Sequence, residues 1–151
     1  MRIYYCLFLL LTSFFLKAQI LDHTAISIAY RTIPKHSFLQ AGLELKPPSK
    51  NIDDSPFTLG TSLLYTRIDH KDKIIPEVSV QYSRLGLMGI SVNPYSIEPR
   101  IGFSCFNMFF INTGYSIPID KDKNFKGVSF GFQINIPLKK NSYFYDKFRL
   151  M

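Results

Sequence analysis

The chain has 151 residues, a formal net charge of +7 and 46% hydrophobic residues. This length fits one domain and is too short for two domains of ordinary size. The positive charge is modest and spread along the chain, whereas a nucleic-acid-binding domain clusters its basic residues on one face, so we expect no nucleic-acid partner.

The first residues have the layout of a secretory signal. Arg2 precedes an apolar run over 3–16, which is followed by Lys17-Ala18-Gln19. This run is shorter than the ~20 residues that a membrane-spanning helix needs. We therefore predict a cleaved signal peptide over 1–18. Its removal would leave 133 of the 151 residues and, because Arg2 and Lys17 leave with it, would lower the net charge from +7 to +5.

The rest of the chain is predicted to form β-strands. Every second residue is apolar or aromatic in eight stretches, and this period of two is typical of strands. The alternation is clearest near the end, where Val128, Phe130 and Phe132 share one face and Ser129 and Gly131 share the other. The predicted strands cover 24–31, 38–45, 57–68, 77–83, 85–92, 100–106, 108–118 and 126–137.

The two faces of these strands predict what surrounds them. In a soluble barrel one face forms the core, and the other meets water and carries many Lys, Glu and Asp residues. Here the polar faces of the last two predicted strands carry Gly, Ser, Asn and Gln, and most charges fall between strands. We predict an all-β fold, a closed antiparallel up-and-down β-barrel of about eight strands whose apolar face meets lipid.

The signal ending in Lys17-Ala18-Gln19, followed by alternating strands of ~10 residues, resembles the small outer-membrane β-barrel proteins of Gram-negative bacteria. The segment 91–100, followed by alternating Ile101, Phe103 and Cys105, is similar to uncharacterised members of this group. The resemblance implies export to the outer membrane, contact with outer-membrane lipid, and assembly by the barrel-insertion machinery.

This interpretation divides the chain into a signal peptide, a transmembrane barrel over 19–138 and a C-terminal tail over 139–151. The tail departs from the group, whose members end on their last strand. The long connection 46–56 is a second departure, because periplasmic turns are usually short. Four tyrosines fit girdles at the membrane surfaces, namely Tyr30, Tyr65, Tyr82 and Tyr115.

Strand parity predicts a polar cluster inside the barrel. Charges there need partners, because burying an unpaired charge is costly. We predict that the cluster fills an eight-stranded lumen and has a structural role; a proton or ion path along the same residues is the alternative. The predicted members are Glu44, Glu77, Gln81, Glu98, Arg100 and Gln133.

Motifs for catalysis, metals or cofactors are not found in the sequence. The three histidines are scattered without metal-binding spacing, and no nucleophile motif accompanies them. Gly-Leu-Met-Gly over 86–89 lacks the lysine and spacing of a phosphate-binding loop and is interpreted as a turn with an adjacent strand. We predict no catalytic, cofactor or metal site and a protein that is not an enzyme. Cys105 is predicted on the apolar side of its strand.

Three functions fit these predictions. The favoured one is an outer-membrane barrel with a structural or interaction role, acting through loops near 31–37, 69–73, 93–96 and 119–127 on an unidentified extracellular or periplasmic protein. The second is a soluble secreted or periplasmic lipocalin-like barrel that binds a small apolar ligand. The third is a narrow transporter or membrane-embedded enzyme.

Overall fold

A computed structural model describes residues 21–47, 56–68, 70–83, 86–105, 108–119 and 125–139. The predicted signal peptide lies outside these residues, as does the predicted tail beyond Lys139. A short 3-10 turn, Leu21–His23, precedes eight strands. The strands are β1 (Thr24–Ile33), β2 (His36–Leu45), β3 (Phe57–Ile68), β4 (Lys71–Ser83), β5 (Leu87–Val92), β6 (Ser96–Cys105), β7 (Phe109–Pro118) and β8 (Gly127–Pro137). Within the described ranges, no helix is both long and apolar enough to cross a membrane.

Each strand pairs antiparallel with the next one, and β8 pairs with β1, so the sheet closes on itself. The closing ladder runs from Ala25 opposite Pro137 to Thr32 opposite Phe130. Closure leaves no free strand edge, which removes the unpaired N–H and C=O groups of an open sheet. The prediction of an all-β, closed, antiparallel up-and-down barrel of eight strands is confirmed.

Several strand ends differ from the sequence prediction. β4 begins at Lys71 rather than near 77, because Lys71, Asp72 and Lys73 continue the ladder with β3 instead of forming a loop. The predicted loops 31–37 and 69–73 are therefore wrong in extent, since only 34–35 and 69–70 connect the strands there. β6 begins at Ser96, ahead of Pro99. Its ladder with β7 skips 98 and 99, where proline has no N–H to donate.

The barrel has its polar residues inside and its apolar residues outside. Among the described residues, 22 polar or charged residues are buried, compared with 10 hydrophobic ones, and 30 large hydrophobic residues are exposed. We call the exposed apolar residues of β1–β8 the apolar belt; it includes the four tyrosines predicted for girdles. A soluble protein has the opposite distribution, because burying apolar surface drives its folding.

One end of the lumen is closed by hydrophobic side chains. Tyr95 and Phe125, from the β5–β6 and β7–β8 connections, stack with ring centroids 4.8 Å apart and planes 6° apart. Together with the buried cluster beneath them they form the apolar cap, which lies at the end of the barrel opposite the start of β1 and the end of β8. The cap consists of Ile33, Phe38, Leu64, Ile68, Ile75, Phe125 and the partly buried Tyr95.

Close backbone approach between β6 and β7 requires glycine at position 102. A Cβ atom there would lie 2.1 Å from the Ile111 carbonyl oxygen and 2.7 Å from the Asn112 Cα. We expect Gly102→Val to destabilise the barrel by about 1–3 kcal/mol, because it forces these strands apart. Urea unfolding of the purified protein measures this. Gly86→Ala is the control, since its Cβ would meet the nearest atom at 3.5 Å, and an equal loss in both variants would contradict the expectation.

Candidate functional site

Four charged side chains meet in the middle of the lumen. Arg31 of β1 donates to Glu77 of β4 at 2.8 Å and to Glu98 of β6 at 3.1 Å. Arg100 of β6 donates to the same two carboxylates, at 3.0 Å to Glu77 and 2.7 Å to Glu98. We call these residues the charge tetrad. It is a closed ring of alternating sign in which each carboxylate lies between two guanidinium groups, so the four formal charges cancel.

Neutral polar side chains add hydrogen bonds to the tetrad, although Arg31 Nε has no hydrogen-bond partner among the described residues. Ser129 donates to Glu98 Oε1 at 2.9 Å, and Arg100 donates to Ser91 Oγ at 2.6 Å. Asn93 Nδ2 approaches Glu77 Oε2 at 3.4 Å. Such hydrogen bonds reduce the cost of burying the charges. The tetrad therefore joins β1, β4 and β6 across the lumen.

All six residues predicted for the interior cluster are buried, and the structure separates them into groups. Glu77, Glu98 and Arg100 belong to the charge tetrad. Glu44 and Gln133 form a separate contact, in which Gln133 Nε2 donates to Glu44 Oε1 at 3.2 Å. Gln81 is buried on β4, and its Oε1 has no hydrogen-bond partner in the part of the chain that the structure describes.

Arg31 is the member of the tetrad that the sequence prediction missed. It lies at the end of the predicted first strand and at the start of a predicted loop, yet only 3% of its surface is exposed. The alternation along β1 indicated that Arg31 lies inside the barrel. Ser27, Ala29 and Arg31 share the inward face, and Ile26, Ile28 and Tyr30 share the outward face. The three glutamates predicted for the interior, Glu44, Glu77 and Glu98, also outnumber Arg100, the one predicted cation, and this imbalance favoured a further buried cation.

A small cavity lies beside the tetrad. A cavity of about 10 Å³ lies between Arg31 and the apolar cap, which is near the lower limit for one water molecule. No group of three or more His, Cys, Asp or Glu side chains among the described residues could hold a metal ion. Cys105 is exposed at the end of β6 and lies outside the lumen. The charge tetrad therefore fills the part of the lumen next to this cavity.

The fold and this interior define a closed eight-stranded barrel with an apolar exterior and buried polar and charged side chains in its lumen. No protein-family model, curated protein or solved structure matches the chain. The barrel's own geometry therefore carries the functional inference.

Proposed function

We propose that the protein is a β-barrel of a bacterial outer membrane with a side-chain-filled lumen, and that its role is structural or depends on contacts through its loops. The observation that carries this proposal is the inverted polarity of the barrel. Phe103 of the apolar belt is 76% exposed, whereas Glu77 and Arg100 are buried. Burying apolar surface stabilises a protein by roughly 25 cal/mol for each Å², and surface left in water lacks this stabilisation. A surrounding bilayer removes the apolar surface from water.

Closure supports the same proposal. Lipid offers no hydrogen bonds, so a sheet that spans a bilayer must pair every backbone N–H and C=O group within itself. The ladder between β1 and β8 removes the free edges of the sheet. The outward tyrosines Tyr30, Tyr65, Tyr82 and Tyr115 suit the interface between hydrocarbon and water.

The contents of the lumen favour a structural or interaction role over a lipocalin-like binder and over a narrow transporter. A lipocalin-like binder of an apolar ligand needs an apolar cavity, but polar side chains line most of this lumen. A transporter needs a path, whereas the charge tetrad crosses the middle and the apolar cap closes one end. The connections 34–35 and 69–70 are short, so a broad adhesive surface on these two hairpins is not expected.

Cell fractionation and gel mobility test the proposal. We expect the protein in the outer-membrane fraction of a producing Gram-negative cell. We also expect the detergent-extracted protein to migrate differently before and after boiling, because a closed barrel stays folded in detergent until heated. Recovery as a soluble protein without detergent would contradict the proposal, and binding of an apolar fluorescent ligand to that soluble protein would favour the lipocalin-like alternative.

A further inference from the structure

A column of stacked side chains runs from the charge tetrad toward the capped end of the barrel. The Arg31 guanidinium carbon lies 5.8 Å from the centre of the Phe38 ring, and the Phe38 and Phe125 ring centres are 5.9 Å apart. Phe125 stacks on Tyr95, and Lys73 Nζ lies 5.5 Å from the Tyr95 ring centre. Phe125 is 2% exposed whereas Tyr95 is only partly buried, so Tyr95 is the outermost ring of the column and covers Phe125.

Asn93 links the position of Tyr95 to the charge tetrad. Its side-chain Oδ1 accepts hydrogen bonds from the backbone N–H groups of Tyr95 and Ser96, each at 2.9 Å, and these bonds hold the β5–β6 connection as a turn. Its Nδ2 approaches Glu77 Oε2 of the tetrad at 3.4 Å. The Tyr95 carbonyl also accepts from the Ile119 N–H at 2.8 Å. The side-chain amide that holds the connection is therefore oriented by a buried carboxylate.

We propose that the β5–β6 connection is a lid over the lumen, with Tyr95 as its closing side chain and Asn93 as the positioning residue through which Glu77 holds it shut. Phe125 and Ser116 line the cavity of about 10 Å³ beside the tetrad, and the Tyr95 ring covers Phe125. Release of Asn93 from Glu77 frees the connection and admits water to this cavity. The inference concerns the interior alone and does not depend on whether lipid surrounds the barrel.

Thiol labelling of the full-length protein in detergent tests the proposal. Ser116→Cys places a thiol at the cavity, in a Cys105→Ser background because Cys105 is exposed. A water-soluble methanethiosulfonate is the probe, and mass spectrometry measures the label at residue 116. Asn93→Ser keeps a side-chain oxygen for the turn and lacks the Nδ2 that approaches Glu77. We expect it to speed labelling about tenfold, because a hydrogen bond to a charged group shifts an opening equilibrium by about that factor.

Ser27→Cys is the matched control for the labelled position. Ser27 is 1% exposed and precedes Arg31 on β1, whereas Ile33 of the apolar cap follows Arg31, so the tetrad separates Ser27 from the lid. Asn93→Ser should leave the labelling rate at residue 27 unchanged. An equal acceleration at both positions would show that the whole barrel has loosened and would overturn the proposal, as would an unchanged rate at residue 116.

Tyr95→Ala tests the lid if Asn93→Ser fails to fold. It removes the ring that covers Phe125 and keeps Asn93, so labelling at residue 116 should accelerate, whereas Tyr95→Phe keeps a ring and should label as slowly as the wild type. The proposal is also overturned if Tyr95→Ala labels at the wild-type rate, or if Tyr95→Phe labels as fast as Tyr95→Ala. A heat-dependent gel shift without these labelling differences would overturn this inference alone and leave the proposed outer-membrane function standing.

Discussion

Arg31→Met is expected to destabilise the barrel by about 3–5 kcal/mol, the usual cost of removing one partner from a buried ion pair. The substitution leaves Glu77 Oε2 and Glu98 Oε2 without the guanidinium that contacts both of them. Arg100 alone then faces two buried carboxylates. Methionine preserves much of the apolar volume of the side chain, so the loss reports on charge more than on packing. Urea unfolding in detergent gives the free energy of unfolding.

Arg67→Met is the matched control for this experiment. Arg67 donates to Asp72 at 2.9 Å in a pair whose side chains are 66% and 53% exposed. Exposed ion pairs contribute only about 0–1 kcal/mol. If Arg31→Met cost no more than Arg67→Met, the charge tetrad would not hold the lumen together. Combining Arg31→Met with Glu77→Gln should cost less than the sum of the two single changes, because the residues share one network.

The strands could be predicted from the sequence because the barrel imposes one rule on all of them. Inward and outward positions alternate along each strand, so Val128, Phe130 and Phe132 alternate with small or polar residues over the whole of β8. Strand ends could not be predicted as well. Charged residues such as Lys71 and Lys73 are common in loops. Here they pair with β3 and extend the β3–β4 hairpin. Such pairing depends on the register with the partner strand, and the local composition of one strand does not encode that register.

The sequence predicted which residues lie in the candidate site better than it predicted which of these residues contact one another. Parity along single strands places Glu77, Glu98 and Arg100 inside. Which carboxylate meets which guanidinium depends on closure and strand tilt, which only the assembled sheet defines. Arg31 was missed because charge near the end of a strand also fits a loop. The separation of Glu44 from the arginines depends equally on the three-dimensional arrangement.

Ile28→Arg is expected to destabilise the barrel in a lipid bilayer by about 2–4 kcal/mol, the cost of placing arginine on the lipid face near the middle of a membrane. Ile28 lies in the middle of β1 and faces outward, and Ala41 and Ile134 oppose it on the neighbouring strands. The apolar belt gives a guanidinium there no partner. Unfolding by guanidinium chloride in lipid vesicles measures the loss.

Ile119→Arg is the control for this position. Ile119 is exposed just after the end of β7, where an arginine can reach water, and we expect a loss of at most about 1 kcal/mol, as near a membrane interface. A soluble barrel would respond differently, because a new charge on a water-facing position costs little. If Ile28→Arg were tolerated as well as Ile119→Arg, the belt would not meet lipid. The difference in unfolding free energy between the two variants thus tests whether the apolar belt faces lipid. This test does not depend on the role of the lumen.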